Sequence, residues 1–334
     1  MSWWSNLYKK RAEDWVFARL ADHQVPGEPR SEVEVPIDQA YLTITLRSMR
    51  ITNVRKLTTK FYGIVHSFIT LDHLSGKEAV FQTVSTPTEL RKADPANLDR
   101  VIQVNKPLLG PVPYRGGRLN LELGLFSVAE ADLAAPFIDV LESMASQAGV
   151  GIISTAIPFL QPLKKGIDAL TGTSNDSILE IGVSANLEPP KTGWYVVMRA
   201  PKQAVTVADL TITPTDFRLV NALTKAPVQD YPYLVFTVTQ SAERPDWFKL
   251  PDLTRTHQEL QAAVRKGDYN SAKELIVAFK RTALTSDDLI TKDAVRLSQL
   301  VKEKTEAALT GTMTAKGPDG QRELPPLESY ELYQ

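Results

Sequence analysis

The sequence predicts an α+β protein, in which an antiparallel β-sandwich carries a helical insertion and is followed by a C-terminal helical domain. Three observations lead to this prediction. Short segments of alternating apolar and polar residues fill most of the first 240 positions. A stretch with helical spacing interrupts them after residue 128. From residue 252 onward, apolar residues recur every three or four positions, as in amphipathic helices.

The first predicted element is an amphipathic helix over residues 1–24. Aromatic residues there recur at three- and four-residue spacing and would share one face. A Pro-Gly-Glu-Pro stretch follows and indicates a linker. Because indole and phenol groups are frequent anchors in protein contacts, we expect this face to dock on protein, with a membrane surface as the alternative. The predicted docking residues are Trp3, Trp4, Tyr8 and Trp15.

The predicted sandwich has two parts, residues 36–128 and residues 177–240. Leu119–Leu125 shows the clearest alternation, with leucine at every second position and small or polar residues between. Successive strand residues point to opposite faces, so we expect Leu121 to face the core and Glu122 to face outward. The strands form either one interrupted sandwich or two small sheets, and their density favours one sandwich.

The remaining segments are helical or extended. Residues 129–172 are the predicted helical insertion, and within it the apolar run Gly149–Leu160 has the length of a buried helix rather than of a bilayer-spanning one. The C-terminal helical domain is predicted over residues 252–310, where Gly267 ends the first helix. Residues 311–334 read as an extended tail. Its Arg-Glu-Leu-Pro-Pro-Leu sequence resembles a polyproline docking peptide, without the second proline pair of a full motif.

Composition narrows the classes of function. The formal net charge is −1 and the chain has no cysteine, which excludes disulfides, thiol nucleophiles and cysteine zinc sites. The four histidines are not spaced as metal ligands, and no nucleotide-binding or nucleophile motif is present. We therefore expect no catalytic residue, no metal and no cofactor, and we do not expect nucleic acid as a partner.

Location is inferred from the same patterns. The first twenty residues carry several charged side chains and lack the uncharged apolar core of a signal peptide. No segment reaches the roughly 18 consecutive apolar residues of a membrane-spanning helix. We expect a cytoplasmic protein, with peripheral contact to a membrane as the alternative.

A local excess of positive charge marks the segment between Asp38 and Asp72, which contains no acidic residue. If its basic side chains share one edge of a sheet, that edge would attract anionic lipid, phosphate or an acidic partner. The competing explanation is an edge strand that its charges protect from aggregation. The predicted anion- or partner-binding residues are Arg47, Arg50, Arg55, Lys56 and Lys60.

These patterns favour a non-enzymatic interaction or scaffold protein that binds protein partners and assembles with itself. A first alternative is a peripheral or pore-forming membrane protein that uses the N-terminal tryptophans, the basic segment and Gly149–Leu160. A second alternative is an enzyme with an unrecognised carboxylate site.

Overall fold

The computed structural model describes residues 15–25, 27, 32–52, 55–56, 59–72, 78–84, 101–129, 177–201, 204–310 and 323–333. The chain divides into two compact units. The first contains antiparallel sheets, and the second contains three helices near the C-terminus. The predicted α+β class with C-terminal helices is confirmed. The predicted helical insertion lies largely outside the described residues.

Twelve strands and three α-helices are described. The strands are β1 (Trp15–Leu20), β2 (Tyr41–Arg50), β3 (Arg55–Lys56), β4 (Thr59–Asp72), β5 (Glu78–Val84), β6 (Val101–Pro113), β7 (Leu119–Ala129), β8 (Ser177–Leu187), β9 (Gly193–Arg199), β10 (Leu210–Ile212), β11 (Leu219–Asn221) and β12 (Tyr233–Ser241). The helices are α1 (Pro251–Lys266), α2 (Tyr269–Leu284) and α3 (Thr291–Thr310).

The first five-stranded sheet has the order β1-β9-β12-β2-β6. On one of its faces Trp194, Val196 and Met198 belong to a buried apolar cluster. The β10–β11 hairpin covers this face by contributing Leu210 and Leu219 to the same cluster. Strand β9 is buried on both faces, because Tyr195 and Val197, which point to the opposite face, are buried as well.

Strand β1 corrects the prediction of an N-terminal helix. Trp15–Leu20 pairs antiparallel with β9, from Trp15 opposite Arg199 to Leu20 opposite Trp194. Val16 and Phe17 have high strand propensity, and the edge of an existing sheet satisfies their backbone groups, so tertiary pairing outweighs helical spacing here. The rest of the predicted helix, residues 1–14, lies outside the described residues.

The second five-stranded sheet has the order β3-β4-β7-β8, with β5 also paired to β4. The four alternating leucines of β7 are fully buried, which confirms the predicted facing of Leu121. The two sheets approach closely at Gly63 of β4. A Cβ atom there would lie 3.1 Å from Ile51 Cγ2 and 3.3 Å from Met49 Cε, so glycine permits the close packing.

The second unit joins three stretches of chain: residues 36–41, 112–114 and 241–334. Helix α1 begins at Pro251, whose fixed φ suits a first helical position, and Gly267 ends it with a φ of 69°. Helix α2 packs against both α1 and α3. The core of this unit includes Leu260, Phe279 and Leu297, all fully buried.

The C-terminal stretch Glu323–Tyr333 also belongs to this unit. It contains one 3-10 turn at Leu327–Ser329 and is otherwise irregular. It is nevertheless packed, because its apolar side chains are buried. The buried residues of the stretch are Leu324, Leu327, Tyr330 and Leu332.

Candidate interaction surface

Arg47, a predicted partner-binding residue, uses its guanidinium group inside the first sheet. Nε lies 3.1 Å from Thr237 Oγ1, and Nη1 lies 3.2 Å from Asn105 Oδ1. The guanidinium carbon also lies 5.5 Å from the ring centroid of Trp194, within cation–π range. Arg47 therefore supports the packing of this sheet face.

Arg50 does not lie on an exposed edge. It is 1% exposed, and its Nη2 donates to the backbone oxygen of Gln229 at 2.7 Å. The prediction that Arg50 forms part of an accessible basic edge is therefore wrong. The long apolar stem of an arginine can line a core when its guanidinium group donates to a carbonyl oxygen. A count of basic residues in a segment does not show whether this happens.

The other predicted residues are described by backbone only or not at all. The backbone of Arg55 pairs with that of Lys60, and Lys56 follows Arg55 in the same strand. Trp15 lies in β1, and the other docking residues, Trp3, Trp4 and Tyr8, lie outside the described residues. Binding by these side chains stays a prediction.

An exposed apolar and basic surface lies on α2. Its side chains are 44% exposed at Tyr269, 67% at Val277 and 43% at Leu284. Lys273 and Lys280 are exposed between them. Positions separated by three or four residues share one side of a helix, so these five residues form a continuous stripe. We call this stripe the α2 face.

The α2 face carries positive charge that this unit does not neutralise. Within the described part of the chain, neither Lys273 nor Lys280 forms an ion pair. Arg281, one turn after Val277, adds a third exposed cation, while Glu274 on the flank is a single acid. The face therefore has a net positive charge around two exposed aliphatic side chains.

The helix that presents this face is firmly positioned. Another side of the helix buries Ala272, Phe279 and Ala283. Asp268 caps the N-terminus by accepting a hydrogen bond from the Ser271 backbone nitrogen at 3.1 Å. Hydrogen bonds from Ser271 hold the pKa of the Asp268 carboxyl below its usual value, so the cap is charged at neutral pH.

A buried polar network lies in the same unit. The Asp293 carboxylate accepts hydrogen bonds from the hydroxyls of Tyr41 (2.6 Å) and Tyr333 (2.8 Å). Burial raises the pKa of Tyr41 far above its usual value. Nearby, the buried Arg244 guanidinium contacts Asp246 and Asp288. Because these polar groups bond to one another, the network serves the packing of the unit.

Sequence periodicity did not single out the α2 face. It places Leu275, Ile276 and Phe279 inward and leaves Val277 and Leu284 unassigned. The available signal was the presence of aliphatic residues outside the inward stripe of a short helix, next to lysines. That pattern also occurs on inert surfaces, so only the exposure seen in the folded structure distinguishes the face.

Among the described residues, no group of three or more His, Asp or Glu side chains is placed to hold a metal ion. No helix in the described ranges combines the length and apolar character needed to cross a membrane. No protein-family model, curated protein or solved structure matches this chain, so its function is inferred from its own residues.

Proposed function

We propose that this chain is a non-enzymatic interaction protein whose helical unit binds a protein partner through the α2 face. The observation that carries the proposal is the exposure of Val277 and Leu284 among unpaired lysines. A helix gains most of its stability by burying its apolar residues, and here part of the apolar surface is left for another molecule. Self-assembly and a cytoplasmic location stay predictions.

The chemistry of the α2 face defines its partner. From Tyr269 to Leu284 the stripe is about 22 Å long at 1.5 Å per residue, which matches about four turns of a facing helix. Burying Val277 and Leu284 would supply about 2–4 kcal/mol, whereas each exposed ion pair adds at most about 1 kcal/mol. The partner is therefore an amphipathic helix that contributes apolar contacts for affinity and acidic flanks for orientation.

Aspartate substitutions test this proposal. The full chain is purified with an affinity tag from cells that naturally express it, and the affinity of each co-purifying partner is measured by titration calorimetry. We expect Val277→Asp and Leu284→Asp to weaken binding at least tenfold. Ala278→Asp is the matched control, because Ala278 is exposed on the same helix but lies beside the stripe. A partner that binds all three variants as it binds the parent would refute the proposal.

Lipid binding by the α2 face, which is distinct from the membrane alternative of the sequence analysis, makes a different prediction for the same variants. A basic and apolar helix face also suits anionic lipid. Flotation of the parent with phosphatidylserine vesicles, lost in Val277→Asp and retained in Ala278→Asp, would favour that alternative over a protein partner.

A further inference from the structure

The α2 face borders helix α3. The hydroxyl of Tyr269, the first residue of the face, donates to the backbone oxygen of Leu309 near the end of α3, at 2.6 Å. Residues 285–290 are the only link between the two helices, so α2 and α3 pack as antiparallel neighbours within one unit. From this contact the α2 face and α3 therefore run side by side in opposite chain directions.

One side of α3 follows the same border back from Leu309. Residues three or four positions apart share one side of a helix, and stepping back from Leu309 in this way defines a single row. We call this row the α3 rim. Its members are Leu309, Thr305, Lys302, Ser298 and Val295. Thr305 and Ser298 are buried, whereas Lys302 is exposed, so the rim is where α3 passes from the core to solvent.

The far ends of the α2 face and the α3 rim also come level with each other. Along α2, Leu284 lies about 22 Å from Tyr269, and along α3, Val295 lies about 21 Å from Leu309, at 1.5 Å per residue. Because the helices are antiparallel and Tyr269 touches Leu309, these equal lengths place Leu284 beside Val295. The α2 face and the α3 rim therefore border one groove over their whole length.

The large apolar side chains that the three helices expose all lie along this groove. They are Tyr269, Val277 and Leu284 on the α2 face and Val295, which is 54% exposed, on the α3 rim. Helix α1, whose residues are all described, exposes none. Asp38 accepts a hydrogen bond from the backbone nitrogen of Thr291, one turn before Val295, and this contact brings Ile37, 60% exposed, to the same end of the groove. That end is therefore the apolar one.

Lysines line the rest of the groove from both sides. Lys273 and Lys280 are exposed on the α2 face. Lys302 of the α3 rim comes level with Val277, and its side chain is 49% exposed, with the exposed carboxylate of Glu306 4.0 Å away. A second copy of this chain carries the same lysines, so a symmetric pairing of two grooves would bring like charges together. The charge of the groove therefore favours an acidic partner over a second copy.

We propose that the partner helix lies in this groove and contacts α3 as well as α2. It carries apolar residues at one end, against Leu284 and Val295, and acidic residues along the rest, opposite the lysines of both helices. The inference rests on the function proposed above. It adds a second wall to the α2 face, formed by Val295 and Lys302, and it assigns the order of apolar and acidic residues in the partner.

The experiment uses the full chain and three synthetic fluorescent peptides. Each peptide is a helix of about 18 residues, long enough to span the groove, with leucines at one end. The remaining flanks carry glutamate in the first peptide, glutamine in the second and lysine in the third. Fluorescence anisotropy measures binding. We expect saturable binding of the glutamate peptide, at least tenfold weaker binding of the glutamine peptide, no binding of the lysine peptide, and weaker binding of the glutamate peptide at high salt.

Protein variants test the second wall. Val295→Asp should bind the glutamate peptide at least tenfold more weakly, whereas Val295→Leu should bind it as the parent does, because leucine keeps an apolar side chain there. Lys302→Glu should weaken binding at least threefold. Lys304→Glu is the matched control, because Lys304 is exposed on α3 but lies outside the α3 rim. Circular dichroism checks that every variant keeps the parent's helix content and melting temperature.

The outcomes separate this inference from the function on which it rests. If Val277→Asp loses the glutamate peptide and Val295→Asp binds it as the parent does, the second wall is wrong and the α2 face stands. If both variants bind it as the parent does, both proposals are wrong. Equal binding of the glutamate and lysine peptides would overturn the acidic partner, and no binding of any peptide would overturn the groove.

Discussion

The buried carboxylate of Asp293 joins two distant parts of the chain. It is 2% exposed, and the tyrosine hydroxyls that it binds come from residue 41 and residue 333. A hydrogen bond to a charged acceptor contributes more than one to a neutral acceptor, and leaving such an acceptor unpaired in the interior is costly. Tyr41 and Tyr333 therefore share one acceptor, and each hydroxyl also accepts a hydrogen bond from a backbone nitrogen, of Ile290 and of Arg244 respectively.

Leu121 provides a test of the sheet core at the residue scale. It is fully buried on β7, so Leu121→Lys places an unpaired charge in an apolar interior and should lower the free energy of unfolding by several kcal/mol, roughly 3 or more. Ser184→Lys is the control, because Ser184 is exposed on β8 opposite Glu122. Urea denaturation measures both, and equal midpoints would contradict the facing of β7.

His257 makes stability depend on pH. Burial lowers its pKa from 6.5 to about 4, so the His257 imidazole becomes protonated in the folded protein only near pH 4. The unfolded chain binds it near pH 6.5, and between these values the unfolded state holds more protons. Stability is therefore highest above pH 6.5 and falls by about 3 kcal/mol as the pH approaches 4.

The variant His257→Gln should lose this share of the pH dependence. Glutamine keeps a polar group near the Tyr330 hydroxyl without titrating. Burial also lowers the pKa of His66, to about 3, so some decline in acid should remain in the variant. Unfolding free energies from pH 7 to pH 4 check the prediction, and parallel curves for parent and variant would contradict it.

At the scale of elements, β1 is where local pattern and tertiary pairing disagree. The spacing of Trp4, Tyr8 and Trp15 favours a helix, yet the Phe17 ring packs at a tilt against Tyr195 and Phe236, with ring centroids 5.9 and 6.2 Å away. The preference for β1 comes from β9, about 180 residues later in the chain. No window of local sequence contains that information.

Two truncations distinguish the contributions of the N-terminal segment. Deleting residues 1–22 removes β1, including the buried Leu20, and should lower the melting temperature by several degrees, roughly 5 °C or more. Deleting residues 1–14 retains β1 and isolates the effect of Trp3, Trp4 and Tyr8. Scanning calorimetry compares both with the parent. Equal melting temperatures for the parent and the longer deletion would contradict the pairing of β1 with β9.

The strands and helices that could be predicted share a physical cause. Their patterns are local in sequence: β7 alternates apolar and polar residues, and α1 has helical spacing that ends at Gly267. The roles of Arg47 and Arg50 could not be predicted, because the sign of a charge does not reveal its surroundings. The α2 face likewise depends on which surfaces other elements cover.

At the scale of the whole chain, the helical unit is discontinuous in sequence. The predicted helical domain, residues 252–310, omits the pieces 36–41 and 112–114 as well as the packed stretch 323–333. Asp38 accepts a hydrogen bond from the Thr291 backbone nitrogen at 3.1 Å, and the Tyr114 backbone nitrogen donates to Ala40. Such contacts leave no periodicity in the sequence, so a contiguous domain was the natural prediction.

An excised fragment tests this organisation. Residues 241–334 alone contain α1, α2 and α3 but lack Tyr41, which Asp293 needs as a partner. We expect the fragment to be helical by circular dichroism but to melt with low cooperativity. The matched comparison is the Tyr41→Phe variant of the full chain, whose free energy of unfolding should fall by about 1–3 kcal/mol. A sharply melting fragment would contradict the need for the distant pieces.

The hydrogen bond between Tyr41 and Asp293 also limits when the helical unit can form during translation. The two residues are 252 positions apart, and at about 5–20 residues per second a ribosome needs about 13–50 s to travel between them. During that interval the strands of the first unit can pair while Tyr41 still lacks its acceptor. The helical unit is therefore assembled late, and its earliest piece must remain available until the piece that completes it has been translated.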